Sequence, residues 1–284
     1  RSSRLPERNQ KGNKMTKTKL KQNITKITQI LQSENYEAGF ELLKTLDEPG
    51  LTAGLSDVIN TTLREKYFKS RAFKKGFDII NSIYLSNLDL SGYKFKSLPE
   101  GLNLLSSLTD LNLSSCTKLS TLDIMKGDDL VTLPKLTSLD LSDCNSLQNV
   151  DGLANCTKLT SLDLNNCESL QNVDGLTKLI KLTSLYMGGC SSLKSVAGLA
   201  NCKDLQELNL SGCEFKSLPV GLDKIPNLHY LNLQFCFSLK NIDNIFNCAN
   251  LISLYISGSI TIKNWDRFTE LTNLTELYLH ECNS

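Results

Sequence analysis

Cysteine and histidine are the residue types here whose spacing could carry chemistry. There are ten cysteines and two histidines, His229 and His280. A structural zinc site needs Cys-x-x-Cys pairs or a Cys/His cluster, and the sequence has neither. A catalytic thiol or hydroxyl needs a base within hydrogen-bond reach, and neither histidine has an evident Cys or Ser partner. The phosphate loop Gly-x-x-x-x-Gly-Lys-Ser/Thr, the zinc helix His-Glu-x-x-His and the elbow Gly-x-Ser-x-Gly are all missing. No catalytic residue, metal, cofactor or small-molecule substrate is expected, and the chain does not read as an enzyme. The chemistry that remains is recognition.

The cysteines keep a period instead. The pattern Leu-x-x-Leu-x-Leu starts at 85, 108, 136, 159, 182, 205, 228, 251 and 274, each step being 23 residues except one of 28. Eight residues after a start stand Cys116, Cys144, Cys167, Cys190, Cys213, Cys236 and Cys282, with Tyr93 and Ser259 in the same place in the two other repeats. Cys156, Cys202 and Cys248 share a second offset. Sustained self-similarity of this length is the mark of a solenoid. Leu-x-Leu alternation buries two side chains on one face of a short strand. A single repeat cannot bury that face, but stacked repeats build a continuous core. Cysteines on successive turns then stand about 4.8 Å apart, longer than the roughly 3.8 Å between Cβ atoms that a disulfide prefers. They are expected to be a ladder of small buried hydrophobes, each thiol weakly bonding the backbone of its own turn. Such a set of free thiols suits a reducing compartment. With no signal peptide and no membrane span in the sequence, a cytoplasmic location is expected, or delivery into a host cytoplasm.

The repeat Leu-x-x-Leu-x-Leu-x-x-Cys-x-x-Leu resembles the leucine-rich repeat family, over about 85–284. Ser211-Gly212-Cys213 followed by Ser217-Leu218-Pro219 is similar to repeats of plant immune receptors, and Asn155-Cys156-Thr157-Lys158-Leu159 is similar to bacterial arrays. The resemblance implies an α/β solenoid: an arc with a parallel β-sheet on its concave face and a mostly non-helical convex side. It also implies a protein-protein interaction module that binds a protein or peptide. An alternative is the recognition part of a larger effector or receptor whose ubiquitin-ligase or nucleotide-binding domain is absent from this chain.

Three regions are expected. Residues 1–18 read as a disordered basic arm. Residues 1–26 carry Arg1, Arg4, Arg8, Lys11, Lys14, Lys17, Lys19, Lys21 and Lys26 against Glu7, about +8, so the total of +1 leaves about −7 for the rest. Such an arm could bind nucleic acid or an anionic membrane, but it reads as a solvated tail, it lacks interleaved aromatics and the rest of the chain is acidic, so neither is an expected partner. Residues 19–82 read as a small α-helical N-terminal cap. Leu20, Ile24, Ile27, Ile30 and Leu31 form one helical stripe, and Phe40, Leu42, Leu43 and Leu46 a second. Leu51, Leu55, Ile59, Leu63 and Tyr67 form a third, and Phe73, Phe77 and Ile79 a shorter fourth. Residues 83–284 read as nine repeats with a five-residue insertion within 123–129, expected to bulge from the outer side. Gly101, Gly152, Gly175, Gly198 and Gly221 recur at one offset, where the outer wall must bend tightly.

Alternation also selects the wall that could touch a partner. Counting the first leucine of a repeat as position one, positions three, five and seven point away from the core. The fifth positions include Asp89, Asp140, Asp163, Tyr186, Tyr255 and Tyr278. The third and seventh add Asp110, Tyr230 and His280, and Phe235 follows just after its strand. The wall is expected to change from acidic and small to aromatic toward the C-terminus, and the partner to bind that aromatic half.

Overall fold

The computed structural model describes residues 17–33, 36–46, 55–63, 76, 85–99, 101–123, 133–218, 221–257 and 265–280. The chain divides into two compact units, Arg1–Thr62 and Leu63–Ser284.

Among the described residues the helices before the repeats include α1 (Lys17–Gln32), α2 (Tyr36–Leu46) and α3 (Ser56–Leu63). The stripes read from the sequence are buried in part: Ile24, Ile30 and Leu42 are half-buried, and Leu51 lies outside the described residues. Ile27 and Leu31 of α1, Phe40 and Leu43 of α2, and Ile59 and Leu63 of α3 are buried. Gly39 explains how closely α2 lies on α1: a Cβ there would meet Leu31 Cδ2 at 2.5 Å. Tyr67 and the fourth stripe (Phe73, Phe77 and Ile79) lie outside the described residues.

In the second unit nine short parallel strands follow one another in chain order in a single sheet. They are β1 (Asn87–Asp89), β2 (Asp110–Asn112), β3 (Ser138–Asp140), β4 (Ser161–Asp163), β5 (Ser184–Tyr186), β6 (Glu207–Asn209), β7 (Tyr230–Leu233), β8 (Ser253–Ser257) and β9 (Glu276–His280). The fold is an α/β solenoid, a leucine-rich repeat arc. Its outer wall is made of single 3₁₀ turns, among them Asp151–Leu153, Asp174–Lys178, Ala197–Asn201 and Asp243–Asn247. Register is one to one: Leu88, Leu111, Leu139, Leu162, Leu185, Leu208, Leu231, Leu254 and Leu277 pair in sequence across the sheet. That row is buried from Leu88 to Leu254, and only Leu277, in the last described strand, is exposed. The leucines at the first and sixth positions and the outer-wall Val150, Val173 and Val196 fill the rest of the core.

Polar atoms join each repeat to the one before. The hydroxyls of Thr109, Thr137, Thr160 and Thr183 donate to the carbonyls of Ser86, Thr109, Thr137 and Thr160. The amides of Asn227, Asn250 and Asn273 donate to the carbonyls of Lys203, Pro226 and Ala249. The thiols follow the same rule, which corrects the expectation of a bond within the turn. Cys116, Cys144, Cys167, Cys190, Cys213 and Cys236 donate to the carbonyls of Leu90, Leu113, Leu141, Leu164, Met187 and Leu210, at 3.2–3.3 Å. The acceptor is the sixth-position residue of the preceding repeat. The second set behaves alike, with Cys202 donating to the Leu176 carbonyl and Cys248 to that of Leu222.

The shared-offset glycines serve two purposes, not one. Gly101 and Gly221 adopt left-handed φ of 93° and 96°, a conformation that disfavours a side chain. Gly152, Gly175 and Gly198 do not. They are small because the outer wall of the preceding repeat presses on them: a Cβ on Gly175 or Gly198 would overlap the carbonyl oxygen of Val150 or Val173. Most of the insertion expected at 123–129 lies outside the described residues.

Candidate functional site

The concave wall is built from the polar face of the sheet. In β2–β5 the middle leucine is buried and its two flanking residues are half-buried. Each strand therefore presents its third and fifth positions at a fixed height, and the one-to-one register sets them in rows.

The fifth-position row has a structural task that the sequence reading missed. The Oδ1 of Asp89, Asn112, Asp140, Asp163, Asn209 and Asn232 accepts the backbone N–H two residues on, at 2.8–3.0 Å. This is the Asx turn that closes a strand end. The signal was available: Asp or Asn filled six of the nine fifth positions. The turn that follows is left-handed throughout, at Gly92, Ser115, Asp143, Asn166, Gly189, Gly212 and Phe235.

Tyr186, Tyr255 and Tyr278 take the same row but cannot make that turn. At Tyr186 the task passes to the neighbouring repeat, where Asn165 Oδ1 accepts the Gly188 N–H at 2.7 Å. The tyrosines are thus released from holding the backbone. Tyr186 donates its hydroxyl to Glu207 at 2.6 Å, and that bond, more than desolvation, raises its phenol. Glu207 itself was not among the expected site residues.

Toward the C-terminus the rings come together. Tyr255 and Tyr278, paired in register, stack with centroids 4.3 Å apart and planes 7° from parallel. Tyr230, one strand earlier, tilts onto Tyr255 at 5.2 Å. Glu276 lies beside them, accepting from Ser253 Oγ at 2.7 Å and Tyr255 Oη at 3.4 Å. Desolvation in the stack, then Tyr278 and Glu276, push the Tyr255 phenol up to about 12. The Tyr255 phenol is therefore a neutral donor at neutral pH, and the three rings offer flat apolar faces. Tyr278 is 51% exposed. His280, in β9, ends the wall and is exposed.

Phe235 stands apart from the strands. It occupies the turn after β7 with φ 61°, is 56% exposed, and lies 6.2 Å from the ring of Phe237, itself 64% exposed. Left-handed backbone costs a bulky residue roughly 1–2 kcal/mol, and strain of that kind concentrates at functional positions.

At the acidic end, Asp140 and Asp163 pair in register, and Asp110 accepts the Thr109 hydroxyl at 2.6 Å. Desolvation, with Asp140 and Asp143 adding repulsion, holds the Asp163 carboxyl above its ordinary value against the Asn165 N–H, which lowers it. The nine described cysteines are buried and free; Cys282 lies outside the described residues. Burial pushes Cys144 and Cys190 up to about 12 and Cys202 and Cys236 to about 11. Burial of this kind disfavours the thiolate, the form that attacks a substrate or binds a metal, and among the described residues no His, Cys, Asp and Glu group could hold a metal ion. No described helix is long and apolar enough to cross a membrane.

Nine strands held in one register by this leucine frame, among the described residues, make a leucine-rich repeat fold. Residues 134–178 match the family model for leucine-rich repeats in two copies. No relative is found among the curated proteins by sequence. Solved structures similar to this chain include an internalin C2 from Listeria monocytogenes, at 19% identity and a TM-score of 0.45, covering 80% of this chain and 85% of that one. The functional domain of InlJ from the same organism, described as including a cysteine ladder, is similar at 19% identity and a TM-score of 0.40, over 72% of this chain and 55% of that one. An internalin InlF, also from Listeria monocytogenes, matches at 18% identity and 0.29, over 78% and 88%.

Proposed function

We propose that this protein-interaction module holds its partner, a protein or peptide, on the concave wall, chiefly through Tyr230, Tyr255 and Tyr278. The supporting observation is that Tyr255 and Tyr278 replace the Asp or Asn that elsewhere closes the strand end, and form a partly exposed stack instead. Stacked rings on a rigid sheet offer large contact area at small entropic cost, which is why tyrosine is frequent at binding hot spots. Tyr186, Phe235 and His280 extend the same face, and Asp89, Asp110, Asp140 and Asp163 carry its acidic end. The buried thiols, in no disulfide, suit a reducing compartment. No catalytic step is assigned to any described residue.

The test is partner capture with the full chain, then affinity measurement on variants. Tyr255→Ala or Tyr278→Ala should cost about 1–2 kcal/mol of binding with the circular dichroism spectrum unchanged. An affinity untouched by both, yet abolished by changes at Asp123 or Asp129 in the outer insertion, would put the binding face elsewhere.

A further inference from the structure

The charge on the concave wall is one-sided. At the third, fifth and seventh positions of the nine strands stand Asp89, Asp110, Asp140, Asp163, Glu207 and Glu276, and no Lys or Arg at all. The chain has 31 Lys and Arg against 30 Asp and Glu, so cations are plentiful elsewhere. Lys158, Lys181 and Lys203 are exposed on the turns that lead from the outer wall into the strands. Cations are kept off this face, whereas carboxylates such as Asp151 and Asp174 stand on the outer wall as well.

The scaffold does not require these carboxylates. Asn112, Asn209 and Asn232 close the same turn as Asp89, Asp140 and Asp163, with the same Oδ1 and without charge. The carboxylates also oppose one another, since Asp140 and Asp163 face each other across adjacent strands. Charge kept where an amide would serve, and against repulsion, is the kind of local cost that binding surfaces retain. Independently, the Tyr230–Tyr255–Tyr278 stack with Glu276 beside it joins aromatic faces to a carboxylate. A planar guanidinium satisfies both at once, by stacking and by ion pairing; a compact ammonium does so less well.

We infer that the concave wall takes a partner segment rich in arginine and lysine, with an arginine seated at Tyr255, Tyr278 and Glu276 and further cations along Asp140 and Asp163. This rests on the concave binding face proposed above and names the chemistry of its occupant. The wall's negative potential steers the segment in, and the aromatic end holds it.

The experiment uses the full chain and three fluorescein-labelled dodecapeptides, alternating Ser with Arg, Lys or Glu, read by fluorescence anisotropy. The Arg peptide should bind most tightly, the Lys peptide less so, and the Glu peptide not measurably. Raising salt from about 0.05 to 0.5 M should weaken the Arg peptide at least about tenfold. Asp140→Lys with Asp163→Lys should do the same, while Asp151→Lys with Asp174→Lys on the outer wall should change affinity less than about twofold. Tyr278→Ala should erase the preference for Arg over Lys. Because charge reversal could disturb the sheet, Asp140→Asn with Asp163→Asn, which keeps the turn, should still cost at least about threefold. An Arg peptide that does not bind, a Glu peptide that binds as well, or wall variants no different from the outer-wall pair would overturn the inference. So would a captured partner that depends on Tyr255 and Tyr278 but offers a neutral or acidic surface; that outcome would leave the binding face itself standing.

Discussion

Replacing Asp163 by Asn should make the protein more stable at neutral pH. The side chain keeps Oδ1 for the Asn165 N–H, as Asn does at 112, 209 and 232 in the same row. It loses the repulsion from Asp140, its registered neighbour, and from Asp143. Two unit charges about 5 Å apart repel by about 0.8 kcal/mol at the dielectric of water, and by more where solvent is partly excluded. Asp163 stays partly solvated, so screening holds the net gain to about 0.5–1 kcal/mol. That corresponds to a rise of roughly 1–4 °C in melting temperature for a domain of this size. The pH dependence follows from the raised carboxyl. The unfolded value lies near 3.8, and the folded value lies above it. The wild type therefore loses stability as pH rises through that window, because ionisation favours the unfolded chain. The variant should show its full advantage above the window and none below the unfolded value. Thermal melts followed by circular dichroism at pH 7 and near pH 3.5, with and without added salt, read the difference between the two proteins. A variant less stable at pH 7, or a gain that grows on acidification, would refute the repulsion and show that the anion is needed at that turn.

Other outcomes follow from the same geometry. Gly198→Ala drives a methyl group into the Val173 carbonyl and should cost about 1–3 kcal/mol or more in urea melts, whereas Gly92→Ala, whose Cβ would meet nothing within 4 Å, should cost only the left-handed backbone, roughly 1–2 kcal/mol. Phe235→Gly should relieve backbone strain and stabilise by up to about 1 kcal/mol while weakening a captured partner; a stabilised variant with undiminished affinity would remove Phe235 from the binding face. Thiol titration under denaturing, non-reducing conditions should count ten free thiols, while in the folded protein the nine described thiols should react far more slowly, being buried. Disulfides recovered from a preparation never exposed to oxidant would contradict the ladder.

The frame of the solenoid was legible because burial repeats. Leu-x-Leu every 23 residues leaves one way to stack the turns, and the leucines and cysteines stand where that stacking puts them. What stayed hidden depends on atoms that meet across repeats. The thiol acceptor lies 26 residues back for Cys116 and 31 for Cys144, and no local pattern points to it. The bond from Tyr186 to Glu207 joins different strand positions on neighbouring repeats, a geometry that residue spacing alone does not fix. The glycines misled because one offset covers two causes, backbone handedness at Gly101 and Gly221 and sheer closeness at Gly175 and Gly198. Two other signals were present but unread: the Asp and Asn run at the fifth position, and the Gly, Asn, Asp and Ser run at the eighth, which marks Phe235 as the exception.

Register without slippage has a further consequence. Because Asn87 aligns with Asp110, Asp110 with Ser138, and so on to Glu276, the wall is a lattice whose rows are strands and whose columns are repeat positions. A change at one lattice point leaves the buried leucines of every row untouched. The surface behaves like movable type locked in a forme: away from the Asp and Asn that close the strand ends, letters can be reset singly, and adding or removing 23 residues lengthens or shortens the line of text by one row. Recognition can then be rewritten without renegotiating the fold.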